Sequence, residues 1–340
     1  MRGHDTSPAT MDEMLPGART AVRQCLNIGA VDRVFVVTDE ETRVIGEALE
    51  AASLEAGAAV HLLVLEELGQ RPFSAPSEVM FQRTRDFAPT ATFYAAQAQP
   101  GEFRFRVPWV GLATTELGAR HGHMIGISPE LMRTGMLADY AKVAVRTLQV
   151  CERVKDVRTM RITSARGTDL TAHLDPPRYH WYPWTGLYHQ SGQWGNLPEG
   201  ETFTCPAHLE GVIAAQVLGD YFSERYGLLD EPVMMHVNGE LTRVEHPDAA
   251  VARDIWEFLS NADNGRRPGE FAIGTNEFLQ ELTGNLLQDE KYPGLHVAFG
   301  NPYPVTGGDW KSPVHVDVVP VGVSIWADGE QIMDNGRFTL

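Results

Sequence analysis

Glu270, Glu290, His296, Tyr303, His315 and Asp317 crowd into three stretches near the end of the chain, GEFAIGTN, DEKYPGLHVAFGNPYPVTGG and SPVHVDVV. Carboxylates, neutral imidazoles and a nearby phenol are the side chains that a hydrolytic divalent-metal site needs. Glycines punctuate these stretches and suit tight turns that aim such groups at one point. No other part of the chain is as dense in chemistry.

His315 and Asp317 stand two apart in SPVHVDVVPVGVSIW, whose β-branched content marks a strand. Side chains at that spacing share a face, with Val314, Val316 and Val318 on the other. One rigid element then offers two ligands to one ion. The alternative is an edge strand with a wet polar face, because a three-residue pattern is weak. His296 lies in a second apolar run, GLHVAFG, where a lone histidine is more often a core or surface residue. Glu270 opens EFAIG, and a carboxylate beside apolar residues needs a partner or a metal. Glu290, between Asp289 and Lys291, reads as part of a solvated charge cluster. Upstream, Glu201 follows the turn residues Pro198 and Gly200 and starts a short strand to Thr204. By itself that segment reads as a surface hairpin, with Glu199 and Glu201 as ordinary acidic residues.

In their order along the chain these segments resemble the aminopeptidase T family of metallopeptidases with a two-metal site. Gly200 to Pro206 (GETFTCP) matches a G-E-x-F-T-x-P segment, and Glu270 matches a glutamate that follows a glycine and opens a short apolar run. His296 to Gly300 matches H-x-A-x-G, Tyr303 a tyrosine seven residues after that histidine, and His315 with Asp317 a terminal H-x-D. The match covers about residues 160–325, and the N-terminal half only in general architecture. The resemblance implies Glu201, Glu270, His296, His315 and Asp317 as ligands of one or two divalent ions (zinc, cobalt or manganese). It implies Glu270 as the residue that also handles the proton, and Tyr303 as the donor to a tetrahedral oxyanion. A small peptide or amide substrate and a homodimer follow from it as expectations. The chain departs from the peptidases proper in being shorter, in a compact loop between Tyr303 and His315, and in the segments GTN and EKYPG. These look like a shorter branch of the family and leave substrate size open.

The chain is also similar in size and in its H-x-D strand to 2,5-dihydroxypyridine 5,6-dioxygenase, an iron enzyme that opens a pyridine ring. That enzyme carries a histidine within the strand matching Glu270 to Gly274, where this chain has alanine, and lacks the glutamate matched by Glu201. His296, His315 and Asp317 would be the facial triad for ferrous iron under this alternative. Glu201, Glu270 and Tyr303 favour the hydrolytic version.

The elements that must position these groups are legible in outline. RVFVVT at 33–38 reads as a buried strand, 39–55 as a helix and 58–66 as a second strand, with further strands at 91–95 and 123–127. A strand–helix–strand unit implies a parallel sheet. TDEETR after the first strand contains no G-x-G-x-x-G, which disfavours dinucleotide binding. Residues 15–29 read as an opening helix. Ser128 caps a long helix from Pro129 to Val154. From Thr159 the pattern turns to short strands and glycine turns, beginning with a hairpin about Gly167. The expected organisation is a Rossmann-like α/β domain over 1–157 and an α+β metal-binding catalytic domain over 158–340.

The aromatic stretch YHWYPWTGLYHQSGQW, 179–194, reads as a pocket wall or lid, as a dimer contact, or as a loop packed on its own domain. His121 and His123 in HGH read as structural. A net charge of −17, from 45 acidic and 28 basic residues, disfavours nucleic acid or an anionic membrane as partner. Cys25, Cys151 and Cys205 lack C-x-x-C spacing and fit reduced thiols. MRGHDTSPATMDEM shows no signal pattern, and no apolar run reaches the length of a membrane span, so a cytoplasmic protein is expected.

Overall fold

The computed structural model describes residues 9–219 and 221–340. The first eight residues of the stretch read for a signal pattern lie outside the described residues. The chain divides into two compact units, one running to Ala141 with Gly186–Glu199 added, the other comprising Lys142–Thr185 and Gly200–Leu340. The boundary expected from sequence was near residue 157. Strands are numbered β1 to β18 along the chain.

Unit 1 holds a parallel sheet in the order β2-β1-β3-β4-β8, made of β1 (Arg33–Thr38), β2 (Ala59–Val64), β3 (Ala91–Ala95), β4 (Arg120–His123) and β8 (Trp194–Asn196). β1 is buried from Val34 to Thr38, as a strand covered on both faces must be. The helix Arg43–Glu55 connects β1 to β2. Phe35, Val37, Leu63, Tyr94, Phe105 and Trp109 form this unit's core. The turn after β1 is closed by Asp39, whose carboxylate accepts from the backbone N–H of Thr42 at 2.8 Å and of Gln97 at 2.7 Å and pairs with Arg71. His121 and His123 sit on β4. His121 Nδ1 meets Thr92 Oγ1 at 2.8 Å, and its Nε2 lies 3.1 Å from His123 Nδ1. Burial lowers His121 to about 3 and His123 well below its usual value. Both are neutral packing residues.

Three expected elements shift. The opening helix spans Met11–Arg19 and continues as a wider π-helical turn over Thr20–Cys25. The fourth strand is Arg120–His123 rather than 123–127. The long helix over 129–154 is broken into Pro129–Arg133, a 3-10 turn Gly135–Leu137 and the helix Tyr140–Val154. Thr134, at φ −124° and ψ −90°, and the extended Ala138, at φ −60° and ψ 149°, interrupt the helical hydrogen bonds. Among the described residues no helix is long and apolar enough to cross a membrane.

Unit 2 holds an antiparallel sheet in the order β18-β17-β16-β5-β6-β10-β15-β14-β13-β9-β7. Its first strands are β5 (Thr159–Ser164), β6 (Asp169–His173), β7 (Tyr182–Trp184), β9 (Glu201–Thr204) and β10 (His208–Leu218). β11 (Val233–Asn238) and β12 (Glu240–Glu245) form a hairpin on β10. The series ends with β13 (Pro268–Gly274), β14 (Gly294–Gly300), β15 (His315–Pro320), β16 (Val323–Ala327), β17 (Glu330–Asp334) and β18 (Arg337–Phe338). Register shifts at Ala215/Val217 and at Pro268/Glu270 curl the sheet. The fold class is therefore the one expected: an α/β parallel-sheet domain and a separate α+β domain built on a curled antiparallel sheet.

Candidate metal centre

Strand pairing brings the sequence-predicted residues together. Across β9 and β13, Glu201 stands opposite Gly274 and Phe203 opposite Ala272. Across β13 and β14, Ala272 faces His296 and Glu270 faces Ala298. Across β14 and β15, Ala298 faces Asp317 and Gly300 faces His315. Directly opposed residues share a face. One face thus carries Glu201, Glu270, His296, His315 and Asp317, with Ala272, Gly274, Ala298 and Gly300 between them. These small residues leave room for the long polar side chains to converge. The opposite face carries Phe271, Ile273, Leu295, Val297, Phe299, Val316 and Val318 into the main core. Each such burial contributes about 1.5–3 kcal/mol, and together they hold the ligand-bearing strands in register.

Two glycines serve the site directly. Gly200 has φ +138°, and a Cβ there would lie 2.7 Å from Val143 Cγ1, so only glycine delivers the chain to Glu201 in this way. Gly300 has φ +111°, and a Cβ would run into the Val314 carbonyl beside His315.

The donor atoms form three groups, each within 4.8 Å: Glu201, Glu270 and His296; Glu270, His315 and Asp317; and Glu290, His296 and Asp317. Glu270 belongs to the first two, with Oε1 3.6 Å from His296 Nε2 and Oε2 3.2 Å from His315 Nε2. His315 Nδ1 lies 2.7 Å from the Asn301 carbonyl, which can only accept. Nδ1 therefore carries the hydrogen and Nε2 is the nitrogen turned to Glu270 and Asp317, the kind of support that metal-binding histidines receive. His296 Nδ1 is buried with no hydrogen-bond partner. Glu201 Oε2 is likewise buried, and His296 Nε2 approaches it at 3.2 Å without hydrogen-bond alignment. Buried carboxylates gathered this closely are costly unless protonated imidazoles or a metal cation meet them. Hard oxygens and imidazole nitrogens converging at this separation fit a divalent metal.

Glu290 and Lys291 overturn one expectation. Asp289, Glu290 and Lys291 are 0%, 8% and 1% exposed, not a solvated cluster. Lys291 Nζ lies 2.7 Å from Glu201 Oε1 and 2.8 Å from Glu290 Oε1. Glu201 is also buried rather than on a surface hairpin. Lys291 had no signal in the sequence, where three consecutive charges read as solvated. Trp184 had one: on the short strand YPW it pairs directly with Glu201 and so shares the ligand face. Its ring lies 4.8 Å from Phe203 and 5.2 Å from Tyr303, and Tyr303 in turn lies edge-on to His315 at 5.2 Å. The stretch 179–194 is thus divided. Tyr182–Trp184 walls the site, and the part from Gly186 onward belongs to unit 1. Cys205 is a core residue, with burial pushing its thiol up to about 12.

Burial opposes every charge in the cluster, and the neighbours decide the outcome. Burial would raise the Glu201 carboxyl, but Lys291 and His296 hold it below the ordinary value. Glu270 bears the same cost and is still lowered to about 2 by the neighbouring imidazoles of His296 and His315. Glu290 is raised to about 7 by burial, reinforced by Asp317 and Glu201 against the pull of Lys291. Asp317 is raised by burial and by Glu270, despite His315. Against burial, Glu201 and Glu270 push His296 well up, and Asp317 and Glu270 push His315 up to about 10. Burial and the ring of carboxylates push the Tyr303 phenol well above its usual range.

Protons and a metal ion therefore compete for the same imidazoles. Their carboxylate neighbours favour the protonated form of both histidines, so metal uptake through them is expected to release protons, and affinity to rise with pH. Calorimetric titration with zinc in two buffers of different ionisation enthalpy is expected to show buffer-dependent heat from released protons. Heat independent of the buffer would remove the histidines from the ligand set.

The family model of 2,5-dihydroxypyridine 5,6-dioxygenase matches residues 113–266. That match contains Glu201 and ends before Glu270. No curated protein sequence matches the chain. Among solved structures, 2,5-dihydroxypyridine dioxygenase from Pseudomonas putida is 16% identical, with a TM-score of 0.69 over 98% of both chains. Wild-type AmpT from Thermus thermophilus, an aminopeptidase T, is 17% identical, with a TM-score of 0.69 over 98% of this chain and 100% of that one. At such identities the likeness is one of fold.

Proposed function

We propose that unit 2 is the catalytic part of a metal-dependent hydrolase of aminopeptidase T type, which cleaves a peptide or small amide bond. The observation that carries this reading is the pair of donor groups that share Glu270. Such a pair would supply ligands for two divalent ions, with Glu270 within reach of both sets of donors. The alternative, a ring-opening dioxygenase with ferrous iron, needs two histidines and one carboxylate on one ion. None of the three donor groups found among the described residues contains both His296 and His315, and Ala272 stands opposite His296.

Divalent ions held here would polarise a carbonyl and acidify a water. The chain's own residues do the rest. Glu270, with an oxygen toward each imidazole, would take the proton of the attacking water and return it to the leaving amine. Tyr303 is the donor for the oxyanion that develops on the carbonyl. The rings of Trp184, Phe203 and Tyr303 offer an apolar wall to the substrate. A small peptide or amide substrate and a homodimer belong to the same reading.

Elemental mass spectrometry of gently purified protein, followed by a screen of aminoacyl amides and short peptides, tests it. Zinc, manganese or cobalt at one to two equivalents, with chelator-sensitive hydrolysis, is the expected result. One equivalent of iron with oxygen uptake on an aromatic diol would overturn the hydrolase. No metal, and none taken up on reconstitution, would sink both readings.

A further inference from the structure

Lys291 is 1% exposed and touches two carboxylates, with Nζ 2.7 Å from Glu201 Oε1 and 2.8 Å from Glu290 Oε1. The reaction proposed above makes no use of it. A cation beside a metal centre lowers affinity for the metal, so its presence there calls for a reason. The two oxygens of Glu201 supply one. Oε1 is taken by the ammonium, while Oε2 is buried and turned to His296 Nε2, 3.2 Å away. Glu290 lies within ligand reach of His296 and Asp317, yet its Oε1 is also held by Lys291.

We propose that Lys291 is a positioning residue of the metal centre, holding Glu201 as a one-oxygen ligand through Oε2 and keeping Glu290 out of the ligand set. This rests on the metal-centre reading above. A carboxylate bound through both oxygens, or an additional carboxylate, would fill positions that a catalytic ion keeps open for water and substrate. Without the ammonium, Glu201 is free to bind through both oxygens and Glu290 to join the ion. The added negative charge should then tighten metal binding while closing the coordination sphere.

The test compares the full chain with its Lys291→Met variant, each loaded with cobalt(II). The readouts are visible absorption, which weakens as coordination number rises, and chelator competition. The variant is expected to lose most of the absorption intensity of wild type and to bind cobalt roughly tenfold more tightly. An unchanged spectrum, at any affinity, overturns the proposal, because a lysine that merely fills space would alter affinity or folding but not coordination. If the variant does not fold, crystals of zinc-loaded wild-type protein decide. Glu201 bound through Oε2 alone with Nζ on Oε1 supports the inference. Both oxygens on zinc, or Glu290 on zinc, overturns it. A wild-type chain that takes up neither metal overturns the metal-centre reading and this inference with it.

Discussion

Glu270→Gln is expected to lose metal and to lower turnover by about 10²–10⁴-fold, the range for removal of a proton-handling group. Glu270 is the one residue in both donor groups proposed to hold the ions, with an oxygen aimed at each histidine. The amide keeps the shape but surrenders the charge. It also turns an N–H₂ toward one imidazole, where that nitrogen cannot ligate. Breaking buried pairs of this kind by neutralising one partner costs about 3–5 kcal/mol when no metal is bound. The variant should therefore melt earlier than wild type in the presence of chelator. Metal content, single-turnover rate and thermal unfolding check the three parts. Full metal content with turnover within tenfold of wild type would take Glu270 out of the shared position.

Tyr303→Phe should separate chemistry from metal binding. Loss of a donor to the oxyanion costs about 2.7–4 kcal/mol, or roughly 10²–10³-fold in kcat. The ring contacts with Trp184, Phe203 and His315 remain in the variant, so metal content and folding should be those of wild type. KM should also change little, because the hydroxyl acts on charge that develops only in the transition state. A variant that loses metal would make Tyr303 structural. One that keeps turnover within a few-fold would remove it from the mechanism.

Much of this arrangement was legible before folding, because it depends on local periodicity. Alternation in SPVHVDVV puts His315 and Asp317 on one face of a strand whatever that strand pairs with, and β15 bears this out. The hairpin about Gly167 and the strand–helix–strand opening of unit 1 follow from turn residues and β-branched runs in the same way. The breaks at Thr134 and Ala138 were hidden, because Ser128 to Val154 keeps a continuous helical pattern across them.

What only tertiary structure decided is how strands distant in the chain are registered. Ala272 and Ala298 are unremarkable in sequence. Pairing makes them the gaps between Phe203 and His296 and between Glu270 and Asp317 that admit the larger side chains. The same holds for Trp184, which reaches the site because β7 pairs with β9. Residue type and spacing along the chain thus determined which groups were chemically capable and which way each strand turned them. Burial and charge partnering came from the fold. Whether Glu290 and Lys291 meet water or each other depends on packing between segments far apart in sequence, and local pattern carries no record of that distance.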